Sequence, residues 1–90
     1  MDRSTGFIYR NDGDMRSHEF LLYSLVRGIK PSRVLEIGVR SGVSTFAMTQ
    51  AISDGQIDCD YHVCDLDPAC LCLSPQLPID VTFHIESSDD

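Results

Sequence analysis

Tryptophan is absent, and positive charge stops early: all seven Lys and Arg residues (Arg3, Arg10, Arg16, Arg27, Lys30, Arg33, Arg40) lie in the first 40 of 90 positions. Nine of the fourteen acids follow, so residues 41–90 carry nine negative charges and no formal positive one. Such a segment repels a phosphate backbone, which argues against nucleic acid as a directly gripped partner. No apolar run approaches the roughly 18 residues needed to span a membrane, and residues 1–6 lack the apolar core of a signal peptide. The expectation is a cytoplasmic protein with no membrane partner. Its four cysteines, Cys59, Cys64, Cys70 and Cys72, form no C-x-x-C pair. They read as reduced, small apolar fillers, with no metal site expected. Ninety residues bury only about 60 to 65% of the unfolded surface and give room for about half of a doubly wound domain.

What is present is organised around residues 34–45, VLEIGVRSGVST. Val34, Leu35, Ile37 and Val39 make an apolar run broken only by Glu36, the pattern of a strand buried on both faces. Gly38 and Gly42 then bracket a turn that can approach a ligand closely, and residues 43–52 read as a helix whose first amides point back at that turn. A dinucleotide fingerprint, G-x-G-x-x-G, is not met, because Arg40 and Val43 stand at its second and third glycine positions. After the helix, residues 61–64 predict a short strand that closes at Asp65, 23 residues beyond Gly42. One β-α-β unit of that length brings an acidic strand end beside the glycine turn, where its two oxygens can accept both hydroxyls of a ribose.

Glu36, Gly38 and Gly42 resemble the first motif of class I S-adenosylmethionine (SAM)-dependent methyltransferases, with Arg40 standing where that family usually has its middle glycine. Relatives of the small-molecule O-methyltransferase kind are similar in carrying a larger residue there. Asp65-Leu66-Asp67-Pro68 resembles the second motif. The resemblance implies SAM as cofactor, Glu36 orienting its amino-acid end through amides or water, Asp65 on the ribose and Leu66 against the adenine. It also implies Ser88 and Asp89 as readers of the adenine amino group. Arg40 has two readings, a partner for the ligand carboxylate or a solvent-facing guanidinium. Asp67 reads as a helix cap in any case.

The remaining chain fills in a Rossmann-like α/β expectation. Residues 1–13 read as a flexible arm, and residues 14–90 as a partial SAM-binding domain. Asp14 or Ser17 can cap a helix whose stripe is Leu21, Leu22, Leu25, Val26 and Ile29, ended by Gly28 and Pro31. In the second helix Val43, Ala47 and Ala51 form a narrow stripe. Pro75 and Pro78 limit the segment after Pro68 to about two turns. Val81, Phe83 and Ile85 alternate with Thr82, His84 and Glu86, the period of an edge strand with one buried face, and His84 is placed at the surface. Three strands in order 3-2-1 with flanking helices follow, the first presenting an unpaired edge.

The resemblance stops before the elements that usually supply the acceptor pocket and any catalytic base, so no catalytic residue is assigned. The expected function is methyl transfer to a small-molecule acceptor by a partial chain that self-associates or joins a complementing chain. The alternatives are an NAD(P)-binding oxidoreductase and a non-catalytic binding module of the same fold.

Overall fold

The computed structural model describes residues 6–10, 19–39 and 42–86. Four strands, β1 (Gly6–Arg10), β2 (Arg33–Ile37), β3 (Asp60–Asp65) and β4 (Thr82–Ile85), pair in parallel in the order β1-β2-β3-β4. Parallel neighbours need crossovers. These are helix α1 (Glu19–Ile29), helix α2 (Val43–Asp54) and a 3₁₀ segment, Pro68–Gln76.

β2, β3 and β4 stand in the expected order, and β1 is an additional strand within the stretch read as an arm. Phe7-Ile8-Tyr9 is too short for its period to be decisive alone. Set beside β2, with Phe7 opposite Val34 and Tyr9 opposite Glu36, it directs two aromatics toward the core and leaves Ile8 71% exposed. The β2 edge expected to be open is therefore paired.

Burial alternates along the strands. Val34 and Glu36 of β2 and Tyr61 and Val63 of β3 are buried, whereas Leu35, Ile37, His62 and Cys64 are half-buried. The apolar run of β2 thus has one covered face, not the two expected. Leu22 and Val26 of α1, Met48, Ala51 and Ile52 of α2 and Cys70 of the 3₁₀ segment join one core with the covered face. In β4, Phe83 is half-buried against this core, while Ile85 is 38% exposed.

Both helices are placed somewhat differently from their sequence stripes. In α1 only Leu22 and Val26 are fully inside, and Leu21, Leu25 and Ile29 lie along an exposed flank. The helix passes through Gly28 and stops at Ile29, where Lys30 takes a left-handed backbone (φ 53°) and Pro31 has no N–H to continue the ladder. Asp14 and Ser17, the suggested caps, lie outside the described residues. In α2 the buried side is Ser44, Thr45, Met48, Thr49, Ala51 and Ile52. Val43 and Ala47 are half-buried, because hydroxyls of the first turn are held over the sheet by a carboxylate beneath them. At the other end of α2, the Tyr23 hydroxyl donates to Asp54 Oδ2 (2.5 Å) and accepts from Arg27 Nη1 (2.9 Å), tying the two helices together.

Candidate functional site

That carboxylate is Glu36. It is 0% exposed, on the covered face of β2, in register with Tyr9 on one side and Val63 on the other. Thr45 Oγ1 lies 2.8 Å from both of its oxygens, Ser44 Oγ donates to Oε2 at 3.3 Å, and the Tyr61 hydroxyl donates to Oε1 at 2.7 Å. A carboxylate taken from water needs such donors. Burial, followed by the charge of Glu36, pushes the Tyr61 hydroxyl well above its ordinary pKa, so it remains a donor. The network fastens the start of α2 to the middle of the sheet.

The turn between β2 and α2 is built as the two glycines require. Gly38 (φ 78°) and Gly42 (φ 86°) both occupy the left-handed region, which costs other L-residues roughly 1 to 2 kcal/mol. A Cβ at Gly42 would also meet Leu73 Cδ1 of the 3₁₀ segment at 2.9 Å. The Gly38 amide donates to the Cys64 carbonyl (3.0 Å), extending the β2–β3 ladder by one bond.

Asp65 ends β3 directly beside this turn. Its Oδ2 accepts the Val39 amide at 2.8 Å and its Oδ1 accepts the Asp67 amide at 2.9 Å. Asp67 in turn caps the 3₁₀ segment by accepting the Ala69 amide (2.9 Å). Asp65 is therefore a clamp between the glycine turn and the chain that follows β3. Each of its oxygens retains acceptor capacity, since an ionised carboxylate offers about four lone-pair sites. Leu66, next in sequence, is 70% exposed. Cys70 lies close by but is no ready nucleophile, because burial and then the charges of Asp65 and Asp67 push its thiol up.

The structure thus brings Glu36, Gly38, Gly42, Asp65 and Leu66 to the carboxyl ends of two adjacent strands and the turn between them. Arg40, Ser88 and Asp89 lie outside the described residues. The Glu36 carboxylate faces the core beneath α2. The residues that sequence reasoning missed are Ser44, Thr45 and Tyr61. Their signal was present, since two hydroxyls in a first helical turn after a strand acid are donors looking for an acceptor.

A broad concavity of about 670 Å³ lies elsewhere, on the half-buried sheet face near Ile8, Arg33, Leu35, His62 and His84. None of its lining residues belongs to the glycine turn. The site argued from the motifs and this hollow are different places. Among the described residues, no helix is long and apolar enough to cross a membrane.

No protein-family model, curated protein or solved structure matches the chain.

Proposed function

We propose that this chain is the cofactor-binding part of a SAM-dependent methyltransferase of the class I kind. The observation that carries the reading is the Val39 amide bonded to Asp65 Oδ2 at 2.8 Å, which sets an acidic strand end against a turn held by two left-handed glycines. Ligands of open parallel sheets bind outside the carboxyl ends of the strands, and this turn lies at the carboxyl ends of β2 and β3. The residues fit SAM in kind. Asp65 has acceptor capacity left for ribose hydroxyls, Leu66 offers an exposed apolar surface to an adenine, and Gly38 lets the backbone approach the methionine portion, while Gly42 supplies the left-handed bend with Leu73 packed against it. Arg40, Ser88 and Asp89 are proposed to complete the set.

Glu36 acts from behind. Its bonds to Ser44 and Thr45 position the first turn of α2 and hence the amides that face the ligand. When bound, SAM supplies an activated methyl group on a sulfonium. The chain's part is to hold and orient, which suits a displacement that depends mainly on positioning. A small-molecule acceptor and any catalytic base are assigned to a complementing chain or segment.

A second reading is favoured by Leu73. Its seat against Gly42 covers one side of the turn, as in a binding module that keeps the fold without the chemistry. Calorimetric titration of the folded chain with SAM, and separately with NADH, distinguishes the readings. Saturable binding of SAM in preference to NADH is expected. Binding of NADH alone would move the assignment to a nicotinamide-dependent oxidoreductase, and binding of neither would leave the module.

A further inference from the structure

All three crossovers of this sheet lie on one side of it. Leu22 and Val26 of α1, Met48, Ala51 and Ile52 of α2 and Cys70 of the 3₁₀ segment pack with Val34, Tyr61 and Val63 of the strands. The opposite face carries Ile8, Leu35, Ile37, His62, Cys64 and His84, and every helical element among the described residues is on the other side. All-parallel sheets occur almost only with both faces covered. We infer that a second copy of this chain covers the bare face, stacked sheet on sheet about a two-fold axis that runs along the strands, independently of the SAM reading.

The rest of the chain is poorly suited to the task. Residues 1–5, 11–18, 40–41 and 87–90, which lie outside the described residues, hold Met1 and Met15 as their only large apolar side chains. The face itself can be dried at little cost, because most of its polar atoms already have partners. His62 Nδ1 and His84 Nε2 form a direct hydrogen bond of 2.9 Å, and His62 Nε2 lies 3.0 Å from Asp60 Oδ2. The Cys64 thiol donates to the Glu86 carbonyl at 3.1 Å. Covering groups so engaged strands few donors or acceptors.

Charge selects a second copy and its orientation. Arg33 of β2 stands opposite Asp60 of β3 in the register, and the acids that flank the histidines, Asp60 and Glu86, belong to the β3–β4 half of the face. A two-fold along the strands lays β2 of one copy over β3 of the other, so each Arg33 meets the other copy's Asp60. Leu35 then falls over His62 and Ile37 over Cys64. β1 falls over β4, which sets the exposed Ile8 on the His62–His84 side of the facing hollow. A two-fold across the strands would stack β2 on β2 and put Arg33 against Ile37, pairing no opposite charges. With the axis along the strands, their direction is also kept between layers, as in aligned stacking of twisted sheets about 10 Å apart.

Size sets the strength. Four strands at about 4.8 Å, each contributing about five residues at about 3.3 Å, make a face about 19 Å by about 16 Å. That is a small contact, below the class that buries about 1,200 Å² in total, so the dimer forms and dissociates with concentration.

The test is sedimentation equilibrium of the full chain from about 10 μM to about 1 mM. A monomer–dimer equilibrium is expected, weakened at least about tenfold by Ile8→Glu and unchanged by Leu25→Glu on the exposed flank of α1. Arg33→Asp and Asp60→Arg chains should each dimerise poorly alone and pair with one another when mixed, a rescue that effects within one chain cannot produce. Should a charge variant fail to fold, concentration-dependent amide shifts of the wild-type chain decide: Leu35, Ile37 and Cys64 should move while Leu21 and Leu25 do not. A monomer throughout, which would leave the face to a different partner, loss of the dimer in Leu25→Glu instead of Ile8→Glu, no rescue on mixing folded charge variants, or shifts confined to α1 would each overturn the proposal.

Discussion

Replacing Glu36 with Ala is expected to remove about 2 to 4 kcal/mol of stability, a large share of what a chain of this size possesses. The substitution takes away the acceptor for Thr45, Ser44 and Tyr61 together and leaves those hydroxyls buried over a void. Tyr61→Phe keeps the volume and removes one donor, so its cost should be nearer about 1 kcal/mol. The urea midpoints of both variants and of their double combination check this. Because the residues share one network, the two costs should not add. Equal midpoints for wild type and Glu36→Ala would show that the network does not hold α2 to the sheet. The same bond predicts a response to alkali. Tyr61 has a folded pKa raised above its unfolded value, so its contribution is complete below about pH 10 and is lost as pH rises toward the folded value. Ultraviolet titration should therefore find Tyr61 ionising only as the chain unfolds.

The second large effect is expected at Asp65. The sequence alone suggests a ribose ligand whose removal leaves the fold intact, but the structure adds two backbone bonds, from Val39 and Asp67. Asp65→Ala should accordingly cost about 1.5 to 3 kcal/mol of stability, the scale of hydrogen bonds to a charged group, with a similar loss in SAM affinity. Asp65→Asn separates the two roles. Its remaining carbonyl can hold one amide, so stability should recover in part, while ribose binding, which needs acceptors on both sides, should stay weak. Denaturation midpoints and calorimetry on the two variants provide the readout. Full SAM affinity in a destabilised Asp65→Ala chain would make Asp65 a clamp alone.

Much of this arrangement was legible in the residues, and the parts that were not have physical reasons. Continuous or alternating apolar runs marked β2, β3 and β4, and their order was argued from a gradient of burial, a first strand buried and a third half-exposed at an edge. Gly38 and Gly42 predicted a turn with unusual backbone, and both carry positive φ. β1 was missed because Phe7-Ile8-Tyr9 becomes a strand only through pairing with β2, a contact that no local pattern encodes. The buried side of α2 was misplaced because small apolar residues were counted as its contact face, whereas Ser44 and Thr45 are drawn inward by Glu36. His84 was read as an isolated surface side chain. Strand alternation fixes which face a residue takes but not its neighbour across the ladder, and here the neighbour is His62.

The most direct test of the central claim is amide-resolved NMR of the ¹⁵N-labelled chain titrated with SAM. The account predicts saturable shifts at Gly38, Val39, Gly42, Asp65 and Leu66, with little change at Leu35, His62 and His84 on the other face. Shifts confined to that other face, or none at all from a folded chain, would contradict it.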